Sequence, residues 1–279
     1  MTARLDHSTP DTATARAVRA LADRLEAEDG APPLSDLARS RLRSDAVAHL
    51  LVRDGEVLTG YGQRDGGELE LAAEPAAAED VLGAIEPPVL VWSHGARSRL
   101  LPVFEGRGFA RARELLQLRR PSATPLPADP PLPDGVTVRT FEPGRDEDAW
   151  LAVNAAAFAH HPEQGRMTRD DLDAREAEDW FDPAGFLLAE RDGELLGFHW
   201  TKRHPDAAGE VYVLGIAPAA QGTGLGRALL VRGLRHLIDG GAAYLLLYVE
   251  GDNAGAVRLY ERESFTRHDV DIQWRTAPV

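Results

Sequence analysis

Two stretches of the 279-residue chain repeat one another at a constant offset. "VLVWSHGARSRLLPVFEGRGF" ends at Phe109, and "LLLYVEGDNAGAVRLYERESF" ends at Phe265. Trp92 matches Tyr248, Gly95 matches Gly251, Phe104 matches Tyr260 and Phe109 matches Phe265, each 156 residues apart. Upstream, "VRDGEVL" (Val52–Leu58) matches "ERDGELL" (Glu190–Leu196) at an offset of 138, and each reads as two strands joined by an Asp-Gly turn. A shared order of elements implies an internal duplication, which limits the fold to two copies of one domain. Between the copies lies "PSATPLPADPPLPDG", with six of the chain's 19 prolines, a composition suited to an extended linker. We therefore expect a domain over residues 1–120, a linker over 121–134 and a second domain over 135–279.

The offsets differ by 18, so the second copy has gained residues between hairpin and terminal segment. That region holds "GEVYVLGIAPAAQGTGLGRALL", where the first copy has only "ELELAAEPAAAEDVLGAIE". Strand, glycine loop and amphipathic helix follow one another there, with Leu225, Leu229, Leu234 and Leu237 at helical spacing. The fold class is α/β with a mixed sheet. Glycines before a helix let backbone N–H groups converge on an anion, and the helix adds about half a positive charge. Arg227 in the first turn is placed to add a full one. A Walker loop is excluded because Arg-Ala follows Gly226. A dinucleotide fingerprint is disfavoured because Gly222, Gly224 and Gly226 alternate.

Composition bounds the partners. With 31 Lys and Arg against 45 Asp and Glu, the net charge of −14 disfavours nucleic acid and anionic membrane surfaces. The absence of cysteine removes disulfides, thiolate metal sites and thiol nucleophiles. No signal-length apolar segment opens the sequence, so a cytoplasmic protein is expected.

The loop pattern Gln-x-x-Gly-x-Gly (Gln221, Gly224, Gly226), together with "GDNAGAVRLYERESF", resembles the GNAT acetyltransferases. This implies two tandem GNAT acyl-CoA N-acyltransferase domains, the first of them degenerate. "VNAAAFAHHPEQG", "FHWTKRHP", "GEVYVLGIAP" and "LYVEGDNAGAVRLY" are similar to the mycothiol synthase family of tandem GNATs. Members acetylate the cysteinyl amine of cysteinyl-glucosaminyl-inositol in the last step of mycothiol biosynthesis. The resemblance implies acetyl-CoA as co-substrate, direct transfer in a ternary complex, no metal, and a monomer acting on a small-molecule amine.

Residue roles follow from the same resemblance. Glu210 becomes the general base toward the ammonium, through water, and Tyr260 the general acid toward the departing thiolate. Phe104, the counterpart of Tyr260, keeps the ring and lacks the hydroxyl. Backbone groups of Leu214, Gly215 and Ile216 would pair with the pantetheine arm, and the Leu214 N–H would steady the oxyanion. Gln221, Gly222, Thr223, Gly224, Leu225, Gly226 and Arg227 would hold the pyrophosphate, with Asn253 and Arg258 lining the far side. Asp36, Glu163, Lys202, Glu210 and Tyr248 would bind the amine substrate, Asp36 standing where the family has Glu. His160, His161, His199 and His204 read as ordinary surface or core histidines. Two other readings remain: a GNAT for a different amine, such as an aminoglycoside or a protein N-terminus, and a non-catalytic acyl-CoA sensor.

Overall fold

A computed structural model describes residues 4–159 and 164–276. The chain forms two compact units. One comprises residues 1–116, 250–252 and 269–279, and the other residues 117–249 and 253–268. This differs from the linear division expected from the proline-rich stretch. The end of the chain packs with the first unit, and the linker packs with the second.

The first unit opens with β1 (Arg4–Asp6), α1 (Thr12–Asp29) and α2 (Asp36–Ser40). Next come β2 (Ala48–Asp54), β3 (Val57–Asp65), β4 (Glu68–Ala73), α3 (Pro75–Gly83), β5 (Leu90–Ser93) and α4 (Leu101–Gly106). Strand β6 (Ala110–Pro121) follows. Helix α1 begins where the Asp11 carboxylate accepts from the Thr14 N–H, and it ends at Gly30 with φ +86°. Ala15, Val18, Ala22 and Leu25 form its buried face, at the spacing that keeps one stripe on the core. Strands β1 to β4 are antiparallel neighbours, and α3 carries the chain over to β5, parallel to β4.

The second unit holds β7 (Thr137–Thr140), α5 (Glu147–Ala157), α6 (Arg169–Glu176), β8 (Phe186–Arg191) and β9 (Glu194–Arg203). It continues through β10 (Ala208–Ile216), α7 (Leu225–Asp239), β11 (Tyr244–Glu250) and α8 (Ala254–Arg262), and the chain's last strand is β12 (Thr266–Arg275). Strands β7 to β10 are antiparallel neighbours, and α7 leads to β11, parallel to β10. Both units thus share an antiparallel run closed by one helical crossover into a parallel strand, as the duplication requires. The hairpins differ in detail: β2 turns to β3 over Gly55 and Glu56, whereas β8 turns to β9 over Asp192 and Gly193. Stacked Phe186 and Trp200, with ring centroids 4.5 Å apart, centre the second core, and Trp150 packs edge-on against both.

The added length of the second copy lies mainly in two places. Only Glu74 separates β4 from α3, whereas residues 217–224 separate β10 from α7. Helix α7 has 15 residues against 9 in α3. The proline-rich stretch is fastened rather than free: Arg235 donates to Asp129 and to the Pro127 carbonyl, and Arg232 donates to the Pro130 carbonyl.

In the first unit, β12 pairs with β5 in antiparallel register from Ile272↔Ser93 to Arg275↔Leu90. Trp274 is 1 % exposed; its indole N–H donates to Ser93 Oγ at 2.8 Å, and its ring stacks on Phe104. Trp274→Ala should therefore destabilise this unit by about 3–5 kcal/mol, read as a lower denaturant midpoint of its unfolding. A shift below about 1 kcal/mol would show that the last strand contributes little there.

His199, wholly buried on β9, donates from Nδ1 to the Leu229 carbonyl of α7 at 3.0 Å. Burial disfavours its cation and pulls its pKa down to about 4. The unfolded chain, with an ordinary imidazole near 6.5, binds a proton that the native state refuses. This contribution is complete above pH 6.5 and is lost as pH falls toward 4, about 3 kcal/mol in all. Asn at this position keeps an amide donor without titrating. Stability of His199→Asn should fall less between pH 7 and 4.5 than wild type, by about 2–3 kcal/mol in parallel denaturant titrations. Equal slopes would contradict the assignment.

Candidate active site

Strand β10 is paired with β9 from Gly209↔Arg203 to Ile216↔Gly197, interrupted by a bulge between Val211 and Val213. Its parallel register with β11 spans only Ala208↔Tyr244, Gly209↔Leu245 and Glu210↔Leu246. Both strands then run on without ladder pairs to each other, and the bulge supplies the extra local twist that parts them. On its β11 side, the backbone of β10 from Val211 to Ile216 is left without a strand partner, as a peptide-like ligand arm requires. The 156-residue offset makes Leu90 the counterpart of Leu246, and Leu90 faces Glu68 across the parallel pair. There the pairing continues through Leu69↔Val91 and Glu70↔Trp92. The first unit is zipped two residues further, and Glu68 meets Gln273 Nε2 at 3.2 Å.

Beyond Ile216 the chain makes a short 3₁₀ turn, Pro218–Ala220, and enters the glycine loop. Gly222 and Gly224 have φ of +75° and +88°, a region that side chains resist, and a Cβ at either would touch nothing, so conformation alone demands glycine there. Gly224 caps α7 without a side chain, and the first helical bond runs from Ala228 N–H to the Gly224 carbonyl. The N–H groups of Leu225, Gly226 and Arg227 therefore open the helix as donors without intrahelical partners. Gln221 braces the loop through Nε2 to the Ile216 carbonyl, and Thr223 Oγ1 donates to the Ala220 carbonyl. Leu214 and Ile216 turn their side chains onto the cluster around Leu225 and Leu229, which leaves their backbone role compatible with core packing. Arg227 is less free than its sequence position implies: its Nε donates to Glu263 Oε1 at 2.6 Å, and that carboxylate is 1 % exposed. Glu263 thereby ties the start of α7 to the end of α8. Buried Arg120 grips the same point through the Glu263 carbonyl at 2.7 Å and holds the carbonyls of Thr124 and Pro125.

Glu210 lies at the fork, 8 % exposed, and its Oε2 is 2.6 Å from His204 Nε2. Lys202 is its register partner on β9, so both side chains share one face of the sheet. The Lys202 ammonium stands over the ring faces of Trp180 and Tyr212, at 4.7 and 5.4 Å, an arrangement that holds a cation without neutralising it. Tyr248, 45 % exposed, follows Leu246 by two residues on β11, and its hydroxyl accepts from Gln117. On α8, Asn253 is the N-cap, its Oδ1 accepting from Ala256 N–H, and Arg258 is exposed. Tyr260 on the same helix is buried against Phe265, and burial pushes its phenol well above the usual value, so it keeps its proton at neutral pH. Asp36 is the first residue of α2, after the N-cap Ser35, in the first unit. Glu163, like His160 and His161, lies outside the described residues.

Structure adds groups that the sequence did not single out. His204 reads there as an ordinary histidine, and it is the direct partner of Glu210. Strict strand alternation from Lys202 was the one available signal for its face. Trp180, Tyr212, Arg120 and Glu263 join through contacts that no spacing reveals. Among the described residues, no cluster suited to a metal ion occurs, and no helix is long and apolar enough to cross a membrane.

Residues 154–265 match the model of the acetyltransferase (GNAT) family. A mycothiol acetyltransferase of Streptomyces avermitilis is 49 % identical, the match covering 94 % of this chain and 91 % of that one. Another, of Thermomonospora curvata, is 48 % identical over 94 % and 93 %. Among solved structures, a GCN5-related N-acetyltransferase from Sphaerobacter thermophilus superposes with a TM-score of 0.72 at 22 % identity, covering 98 % and 96 %. A tandem GNAT protein from the clavulanic acid biosynthesis pathway gives 0.66 at 16 %, covering 100 % of both chains. The structures share the tandem fold and the sequences share the family. The chain is an acetyltransferase that belongs to the mycothiol acetyltransferase family of tandem GNAT proteins.

Proposed function

We propose that the chain transfers the acetyl group of acetyl-CoA to the cysteinyl amine of cysteinyl-glucosaminyl-inositol, the last step of mycothiol biosynthesis. The observation that carries this reading is the fork: β10 leaves β11 immediately beyond Glu210, and the opened strand leads into a helix start with uncapped donors. The choice of amine rests on the relatives, which are named for mycothiol. In this reading the pyrophosphate takes the N–H groups of Leu225, Gly226 and Arg227, and the pantetheine arm pairs with β10 at Leu214 and Ile216. Gly215 between them, with Asn253 and Arg258 across the cleft, completes the cofactor side. Lys202, Glu210 and Tyr248 face the polyhydroxylated amine, with Asp36 and Glu163 assigned to it by the family resemblance.

The chemistry then follows in order. Glu210 draws one proton from the substrate ammonium, through water, and the freed amine nitrogen attacks the thioester carbonyl. The oxyanion that forms is met by the Leu214 N–H. As the intermediate collapses, the C–S bond breaks and Tyr260 gives its proton to the departing sulfur. No cysteine exists to carry the acetyl group, which favours direct transfer within a ternary complex over a thioester-enzyme intermediate. The low exposure of Glu210 and the persistent protonation of Tyr260 support these roles.

Mass spectrometry of the amide product is the decisive assay, because a thiol reagent also detects the sulfur of the substrate. Acetylated cysteinyl-glucosaminyl-inositol is expected; no product from it together with turnover of an aminoglycoside would transfer the reading to another amine. Replacing Glu210 by Gln should lower kcat about 10²-fold or more at pH 7 and much less at pH 9, where solvent already deprotonates the amine. An equal loss at both values would remove Glu210 from the proton transfer.

A further inference from the structure

The structure assigns His204 a part in the reaction: we infer that it is the positioning residue of Glu210, holding one carboxylate oxygen so that the other receives the substrate proton. This rests on Glu210 acting as the base. His204 Nε2 and Glu210 Oε2 are 2.6 Å apart. An ionised carboxylate offers only acceptors, so the proton between them belongs to Nε2. Oε2 is thereby fixed, and Oε1 is left as the basic atom. In the step itself an N–H bond of the ammonium breaks as the bridging water takes that proton, one of the water's own O–H bonds breaks as its proton bonds to Oε1, and His204 keeps its own proton.

The turn that presents His204 is built around this contact. His204 N–H donates to the Ala208 carbonyl, and Ala207 N–H donates back to the His204 carbonyl. The Ala207 carbonyl accepts from Ala243, and the Asp206 carboxylate accepts from the Tyr244 hydroxyl at 2.8 Å. Ala207 has φ +65°, a conformation that strains a residue with a Cβ and that persists where the surroundings over-determine it. The first unit joins its corresponding strands by Gly66 and Gly67 alone. The longer, strained turn belongs to the second unit; in the first, Glu68, the register counterpart of Glu210, follows the short Gly-Gly turn.

Steady-state kinetics with acetyl-CoA and cysteinyl-glucosaminyl-inositol at pH 8 test this on the full chain, with His204→Ala, His204→Gln and Glu210→Gln in parallel. His204→Ala should lose about tenfold or more in kcat, with the KM for acetyl-CoA unchanged. His204→Gln restores a neutral N–H donor and should return kcat to within about twofold of wild type at pH 8. Wild-type kcat in His204→Ala alongside an impaired Glu210→Gln overturns the role of His204 alone. Recovery no better with Gln than with Ala also overturns it. An unimpaired Glu210→Gln would instead overturn the reading of Glu210 on which the inference rests.

Discussion

The second unit turns on where one parallel strand pair stops. Up to Glu210↔Leu246, β10 and β11 satisfy each other; beyond that point the backbone of β10 loses its neighbour. Unpaired peptide groups are costly in a folded protein unless something else bonds to them, so the fork is a site that invites an extended amide-bearing ligand. Everything else converges on it. The carboxylate of Glu210 stands at its apex, Lys202 beside it, and the strand that lost its partner runs straight into the glycine loop and the start of α7.

Duplication supplies an internal control for this view. The first unit keeps the antiparallel run, the crossover helix, the parallel strand and a glutamate, Glu68, in the register place of Glu210, while its strand fork, its loop and one aromatic differ. Its parallel pair closes two residues further, its strand passes through Glu74 directly to α3, and its equivalent of Tyr260 is Phe104, 0 % exposed. The shared features are compatible with a closed strand pair, and the differences accompany the open one.

What the sequence made legible was local. Glycine spacing announced the loop because only a residue without Cβ takes the φ values found at 222 and 224. The start of α8 is local as well, because the Asn253 side chain caps it. Periodicity placed α7, whose Leu225, Leu229, Leu234 and Leu237 are all buried. Contacts between distant positions were illegible. Arg120 reaches Glu263 across 143 residues, and Arg227 reaches it across 36, so the charge on the loop arginine proved to be shared with a carboxylate that no motif flagged. His204 looked ordinary because the turn that carries it to Glu210 has no sequence signature of its own. The last strand was assigned to the second domain because a strand pattern says nothing about which other strand it pairs with.

That last strand bears on how the molecule is made. Ser93 and its neighbour Ile272 are 179 residues apart, so one side of β5 waits for the final stretch of the chain. At about 5–20 residues per second, a ribosome needs roughly 10–35 s to deliver it. During that interval a strand edge in the first unit lacks its native mate, and unpaired edges are where chains join wrongly. The half of the protein synthesised first is therefore the half completed last, and its safe passage depends on the speed of translation and on whatever shields β5 until release.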